Sequence, residues 1–286
     1  LDRVGGSSFA RKTAEGSRDA NFCGLNEAAY IGVCLASRHV RLCCRMTLHV
    51  LPNRLAGAAE NMAVDFLMLQ RYPDPAVPRF RAYGWHRPAY TFGYSQKFAF
   101  VRLQVPADEP AELCRRFSGG GLVDHRNDWT YSLAIPRGHD LEAARAVESY
   151  RRVHEALAAA LRSQGQSAEI LRDCEPANSD AGETCGPAGV CFTRAERFDV
   201  IHPQSQEKIA GAAQKRTKHG LILQGSLWRP AAPDVGDWDA FATAFVEELG
   251  NALVASPAEI PWPDFNEDEV SQLTERYGSP EWNEQR

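Results

Sequence analysis

Residues 197–228 read as three strands in direct succession, and that succession limits the fold more than any other feature. "RFDVI" (197–201), "KIAGAAQ" (208–214) and "GLILQGSLW" (220–228) are separated only by the polar turns "HPQSQE" and "KRTKH". Turns this short join antiparallel neighbours, because a parallel crossover needs a dozen or more residues. Upstream, "RFRAYGW" (79–85), "AYTFGY" (89–94) and "WTYSLAI" (129–135) read as further strands, the last with Trp129, Tyr131, Leu133 and Ile135 on one face. Strands in adjacent runs with few helices between them predict an α+β domain with a mainly antiparallel sheet.

Helical periodicity fills the rest. Leu55, Ala59, Met62, Phe66 and Leu69 recur at spacings of three and four, with Asn53 placed to cap the start. A long helix is predicted from Leu141 to Ser163, with Ala144, Val147, Tyr150, Val153, Leu157 and Leu161 on its apolar side. Two more close the chain near 236–249 and 266–277, the second with Asn266 and Glu269 as a capping box. Residues 173–189, rich in Asp, Glu, Gly, Pro and Ser, predict a loop.

The N-terminal 45 residues are different. They hold four of the eight cysteines, a "GGSS" stretch and no sustained period, and the first methionine is Met46. We read 1–45 as an extension outside the domain, consistent with an over-called translation start, and 46–286 as the domain itself. Acidic residues Asp2, Glu15, Asp19 and Glu27 argue against a transit peptide. None of the eight cysteines forms a C-x-x-C pair, which disfavours zinc and predicts reduced thiols in a cytoplasmic protein. The net charge of -5 gives no basic field for nucleic acid, and the apolar runs are too short to span a bilayer.

Three segments carry candidate chemistry. In "RRFSGGG" (115–121) the glycines allow close backbone approach, and Arg115 and Arg116 are suited to a carboxylate or phosphate. A solvated arginine pair beside a flexible turn is the plainer alternative, and the spacing matches neither a P-loop nor a dinucleotide fingerprint. In "EKIAGAAQKR", Lys208 opens a strand whose middle is kept small by Gly211, Ala212 and Ala213, and could stabilise charge developing on a carbonyl. An edge lysine that discourages aggregation is the alternative. In "GVCFTRAERFD", Arg194, Arg197 and Lys208 could favour the Cys191 thiolate, though a buried structural cysteine reads equally well from these residues alone.

Taken in order, "NMAVD" (61–65), "WHRPAYTFGYSQ" (85–96), "RRFSGGGLVDH" (115–125) and "KIAGAAQKRTKHGLILQGSL" (208–227) resemble the lipoate–protein ligase and octanoyltransferase family. "SYRRVHEAL" (149–157) and "ERYGSPEWN" (275–283) fit as well, so the resemblance covers about residues 46–286. It implies a biotin/lipoate protein ligase fold, similar to class II aminoacyl-tRNA synthetase cores, with a mixed, mainly antiparallel sheet flanked by helices. It also implies a tunnel for an octanoyl or lipoyl chain. Arg116, Ser118, Gly119, Gly120 and Gly121 would border the acyl head and any nucleotide. His125 matches the family's histidine after the glycines, Lys208 its central lysine, and Gly211 and Ala213 the small positions that let the ligand pass. "CFTRAERFD" fits the branch that transfers an octanoyl group through a cysteine thioester, which makes Cys191 the expected nucleophile.

The implied function is octanoyl or lipoyl transfer from acyl carrier protein to a lysine of a lipoyl domain, in a 2-oxoacid dehydrogenase E2 or a glycine cleavage H protein, with no cofactor. The alternatives are an ATP- and Mg-dependent lipoate–protein ligase and a non-catalytic acyl or lipoyl-domain binding protein. A biotin ligase is disfavoured because its arginine-rich glycine loop is absent. Only about 58 residues follow Trp228, short for a ligase accessory domain. Three departures stand out: "HPQSQE" is longer than usual for the transferase branch, Gln224 replaces a histidine, and Asp124 and Asp128 flank His125 as turn caps or, in a ligase, metal ligands.

Overall fold

The strand succession forms antiparallel neighbours at the heart of a nine-stranded sheet. The computed structural model describes residues 46–106, 110–172 and 195–286, together with the strand backbone of 33–34 and 41–42. Two units are distinguished, Leu1–Cys44 and Arg45–Arg286. In the first, β1 (Val33–Cys34) and β2 (Arg41–Leu42) pair antiparallel.

In the second unit the large sheet has a mixed pairing pattern. β10 (Glu169–Ile170), β11 (Val200–Ile201), β12 (Lys208–Thr217), β13 (Gly220–Trp228), β9 (Asp128–Pro136) and β5 (Arg79–Trp85) pair antiparallel in that spatial order. Beyond β5, β3 (Met46–Val50) and β14 (Ala255–Glu259) continue the sheet in parallel, and β4 (Arg54–Ala56) also pairs parallel with β5. A second sheet places β6 (Ala89–Phe92) between β7 (Glu112–Arg115) and β8 (Leu122–Asp124). "AYTFGY" therefore leaves the large sheet to build the small one.

The central strands are buried on both faces, and period two divides their side chains cleanly. On one face Trp129, Tyr131, Leu133 and Ile135 join Leu221, Leu223 and Leu227 in the main core. That core is closed by α4 (Ala146–Ser163) and α5 (Trp238–Leu253), whose Phe241 and Phe245 pack edge-on to Trp129 and Tyr131. Burying each such ring contributes about 1.5–3 kcal/mol. On the other face lie Thr130, Ser132, Gln224 and Ser226, and this face carries the polar machinery. α1 (Ala58–Gln70) covers part of it, backed by α6 (Glu267–Gly278) and α7 (Pro280–Asn283). The short helices α2 (Phe98–Gln104) and α3 (Asp140–Ala143) complete the set.

Three sequence expectations are corrected. The first helix starts at Ala58, not at Asn53, because Arg54–Ala56 are drawn into pairing with Tyr83–Trp85, with Leu55 lying over Gly84. Its open Ala58 N–H is met by the Glu112 carboxylate instead of an Asn53 cap. The helix predicted from Leu141 is interrupted at Ala144–Arg145, where Arg216 takes the carbonyls of Glu142 and Ala144. In "RFDVI" only Val200 and Ile201 are strand, because Phe198 sits at φ 70, a left-handed conformation that breaks extension. Asn266 does cap α6 through Glu269 N–H, while the Glu269 carboxylate reaches Arg71.

Candidate active site

A narrow slot lies between the polar face of the sheet and the glycine loop. Its floor follows one register row across four neighbouring strands: Gly211, Ser226, Thr130 and Tyr83. Ala213 and Gln224 continue it one row along, and Met62, Thr91, Gly120 and Val123 cover it. At about 4.8 Å per strand the row is roughly 14 Å long. Small residues at Gly211, Ala213 and Ser226 keep the floor open.

Lys208 lies beside Gly211, at one end of that row. Its Nζ lies 2.7 Å from Asp199 Oδ2, and both side chains are almost wholly buried. Asp199 Oδ1 accepts from the Tyr150 hydroxyl, Asp199 Oδ2 accepts from Glu196 N–H at 2.7 Å, and the Tyr150 oxygen accepts from Ala212 N–H at 3.0 Å. A turn of helix α4 further on, His154 Nδ1–H donates to the carbonyl of the left-handed Phe198 at 2.7 Å. Tyr150 and His154, one turn apart on the same face, thus hold the 198–199 turn that aims Asp199 at Lys208. A Cβ on Gly211 would lie 2.8 Å from Lys208 Cε and Nζ, so this glycine gives the lysine the space to lie along the floor.

The glycine loop has its own clamp. Arg116 donates to Thr91 Oγ1 at 2.8 Å and to the carbonyls of Gly119 and Gly121 at 2.8 and 2.9 Å. Gly120 takes φ 87 and would press a Cβ to 3.0 Å from Arg116 Nη2 and 3.5 Å from Ala213. Gly119 meets nothing within 4 Å, so the demand for glycine falls on Gly120. Gly93 supplies the seat, since a Cβ there would come within 2.0 Å of the Gly120 carbonyl. Ser118, buried below the loop, donates to Gln224 Oε1.

Gln224 extends this contact inward. Its Nε2 donates to Asp65 Oδ2 at 2.7 Å, and Ser132 Oγ donates to the same oxygen at 2.6 Å. Arg81 donates to Asp65 Oδ1 from Nε and Nη2 at 2.9 and 2.6 Å. Asn61, one turn before Asp65 on α1, accepts from Arg81 as well. "NMAVD" therefore supplies the two polar residues of α1 that meet the sheet beneath the slot.

His125 stands at the other end of the slot. Its Nδ1–H donates to Asp128 Oδ2 at 2.7 Å, its Nε2 lies 2.7 Å from Thr91 Oγ1, and its ring centroid is 4.1 Å from that of Trp85. Asp128 Oδ2 also accepts from Thr130 and Ser226. Asp124 caps its own turn by accepting from Arg126 N–H.

Not every expected site residue converges here. Arg116, Gly120, His125, Gly211 and Ala213 line the slot. Arg115 is directed elsewhere: its guanidinium donates to the carbonyls of Tyr94, Gln96, Trp282 and Asn283, fastening α7 to β7. Strand β7 ends at Arg115, and the two adjacent arginines take separate partners, α7 for Arg115 and the glycine loop for Arg116. Cys191 lies outside the described residues. Cys114 is buried with its thiol directed at the Tyr277 carbonyl, and burial pushes its pKa up to about 12. Asp199, Tyr150, Thr91, Trp85 and Asp65 entered none of the sequence-based site assignments. Asp65, Trp85, Thr91 and Asp199 lie within the stretches "NMAVD", "WHRPAYTFGYSQ" and "CFTRAERFD", and Tyr150 forms an i, i+4 pair with His154, but none of these signals gave a role.

Known proteins resemble this chain in sequence and in fold. The lipoyl protein ligase A/B catalytic domain model matches residues 57–235. The octanoyltransferase LipM of Oceanobacillus iheyensis is 30% identical over 180 residues, covering 62% of each chain. That of Moorella thermoacetica is 29% identical over 184 residues, covering 63% of this chain and 64% of its own. The chain thus spans under two thirds of the length of these two curated relatives. The LipM of Symbiobacterium thermophilum is 28% identical over 269 residues, covering 78% and 93%. A crystal structure of lipoate-protein ligase A bound with ATP superposes with a TM-score of 0.60 at 17% identity, covering 84% of this chain and 98% of that one. A bipartite lipoate protein ligase studied with its E2 lipoyl domain from Thermoplasma acidophilum gives 0.58 at 18% identity, covering 84% and 96%. These likenesses carry the fold, and the match over 57–235 carries the family: the chain belongs to the lipoyl protein ligase A/B catalytic domain family.

Proposed function

We propose that this protein transfers an octanoyl or lipoyl group to a lysine of a lipoyl domain, taking it from acyl carrier protein through a thioester on Cys191. The observation that carries the reading is the buried Lys208–Asp199 pair beside Gly211, where a narrow slot runs under the glycine loop. The octanoyltransferase relatives give it its direction. The acyl chain lies along the slot with its carbonyl at Lys208. The Cys191 thiolate attacks the thioester carbonyl, the carrier thiolate leaves and takes up a proton, and acyl-Cys191 remains. Lys208 stabilises the oxyanion formed in that step, and Asp199 and Tyr150 hold the ammonium in place. The neutral acceptor amine then attacks acyl-Cys191, loses a proton, and releases the thiolate as the amide forms. No cofactor is required. The acceptors are lipoyl domains of a 2-oxoacid dehydrogenase E2 or a glycine cleavage H protein, and the setting is cytoplasmic. Among the described residues no helix is long and apolar enough to cross a membrane.

The test is intact mass after incubation with octanoyl–acyl carrier protein. We expect an octanoyl adduct on the unmutated protein and on Cys114→Ser, and none on Cys191→Ser. Absence of any adduct, together with lipoate transfer that depends on ATP, would replace this reading with the ligase one.

A further inference from the structure

The slot opens to solvent along β12. Gly211, Ala213 and Lys215 share the face that lines it, because strand residues two apart point the same way. Gln214 and Arg216 turn to the opposite face, where they meet Ala146, Glu142 and Ser149. Exposure rises along the slot face from buried Gly211 through half-buried Ala213 to exposed Lys215, and Gly120, over Ala213, is exposed too. Tyr94 stands across from Lys215, fixed to the glycine loop by its N–H on the Ser118 carbonyl at 2.8 Å. Two cations face its ring: Lys215 Nζ lies 5.9 Å and the Arg286 guanidinium carbon 4.8 Å from the centroid. Exposed Lys97 adds a third at this corner, since Phe98 N–H, next along the chain, donates to the Arg286 carbonyl. Among the described residues neither Lys215 nor Arg286 has a carboxylate within ion-pair distance.

We propose that this mouth is a phosphate site, in which Lys215 and Arg286 hold the phosphate of a phosphopantetheine arm that delivers the acyl thioester. The proposal rests on the reading that the acyl carbonyl sits at Lys208. The lengths agree. Gly211, beside the Lys208 ammonium, and Lys215 are four residues apart on one strand, about 14 Å in extended backbone. The arm carries about thirteen bonds between sulfur and phosphorus, which span roughly 15 Å at extended-backbone dimensions. A thioester carbonyl at Lys208 therefore brings the phosphate beside Lys215, with small Ala213 leaving the path open. The phosphate is the one charged group on such an arm, and cations without carboxylate partners hold it by charge-assisted hydrogen bonds. Carrier proteins and coenzyme A both present this arm.

The test measures the rate of octanoyl adduct formation, by intact mass, from octanoyl–pantetheine and from octanoyl–phosphopantetheine, which differ only in the phosphate. The unmutated protein should use the phosphorylated donor at least about tenfold faster at subsaturating concentration. That ratio should fall at least about fivefold in Lys215→Gln and be largely kept in Lys215→Arg. Lys215 is exposed, so these variants keep the fold. Lys218→Gln, an equal change of charge in the turn after β12, should leave the ratio unmoved. Octanoyl–acyl carrier protein and octanoyl–coenzyme A distinguish the source of the arm: a Lys215→Gln loss with the carrier alone assigns the site to carrier-borne arms, and a loss with both assigns it to the arm itself. A ratio near one in the unmutated protein, or an equal fall in Lys218→Gln, overturns the phosphate site. Adduct from both small donors at equal rates sinks the site and spares the proposed function. No adduct from any donor sinks both.

Discussion

Two buried carboxylates, Asp65 and Asp199, each hold a cation beneath or beside the slot, yet they are built for different ends. Asp65 takes Arg81 on one oxygen and Ser132, Gln224 and Tyr83 on the other, so the interior scaffold surrounds it. A planar guanidinium with a fixed fork suits such a role, because its geometry locks helix α1 to strand β5. Asp199 instead holds a lysine, a point charge on a flexible stem, and does so from a turn with a left-handed Phe198. The same pairing of charges therefore braces the fold at one place and, in the proposed reaction, holds Lys208 at the acyl carbonyl at the other. The difference lies in the type of cation and in whether small residues leave space beside it.

The comparison breaks most visibly at Arg81. Arg81→Met strands Asp65 in the interior and should destabilise the protein by about 3–5 kcal/mol, read from urea unfolding. An unchanged midpoint would deny Asp65 its bracing role. Lys208→Arg is the opposite case: charge is kept, so stability should move by less than about 1 kcal/mol, while acyl transfer falls on the order of 10²-fold. Equal loss of stability at both positions would erase the distinction.

Two glycines sharpen it at lower amplitude. Gly225→Ala would place a Cβ 2.1 Å from the Tyr131 ring in the main core, and should cost about 1–3 kcal/mol in unfolding experiments. Gly211→Ala meets only the flexible tip of Lys208 and the Asp199 carboxylate, at 2.8 and 3.0 Å. Its stability should hardly change, while transfer should fall about tenfold or more as the ammonium is displaced.

The smallest effect concerns pH. Burial lowers the pKa of His154 from its ordinary 6.5, and Nδ1 alone has a partner, the Phe198 carbonyl. Well above pH 6.5 the ring is neutral whether folded or unfolded. As pH falls below 6.5 the unfolded chain takes up the proton first, so stability declines until the lower folded pKa is passed. His49 and His139, also lowered by burial, add to the same slope. Thermal melting of His154→Leu between about pH 7 and about pH 5.5 should show a shallower decline than the unmutated protein. A slope equal to that of the unmutated protein would mean that His154 titrates normally in the fold.

Much of the fold was legible because local patterns report local periods. The alternation in "WTYSLAI" placed Trp129, Tyr131, Leu133 and Ile135 in the main core, and Asn266 announced the start of α6. The first helix was misplaced because Leu55 satisfies a helical spacing while its backbone pairs with Gly84, a partner no local window contains. The site was less legible for the same reason. Arg115 and Arg116 look equivalent in sequence, yet one secures α7 and the other clamps the glycine loop. Asp65 and Gln224, 159 residues apart, share a hydrogen bond that only sheet assembly creates.

By itself the sequence determined the antiparallel succession of β11, β12 and β13 and the period that divides each central strand into an apolar and a polar face. Tertiary structure decided which polar groups meet. Pairing register is a property of several strands together, so it alone could align Gly211, Ser226, Thr130 and Tyr83 into a floor and bring Asp199 to Lys208.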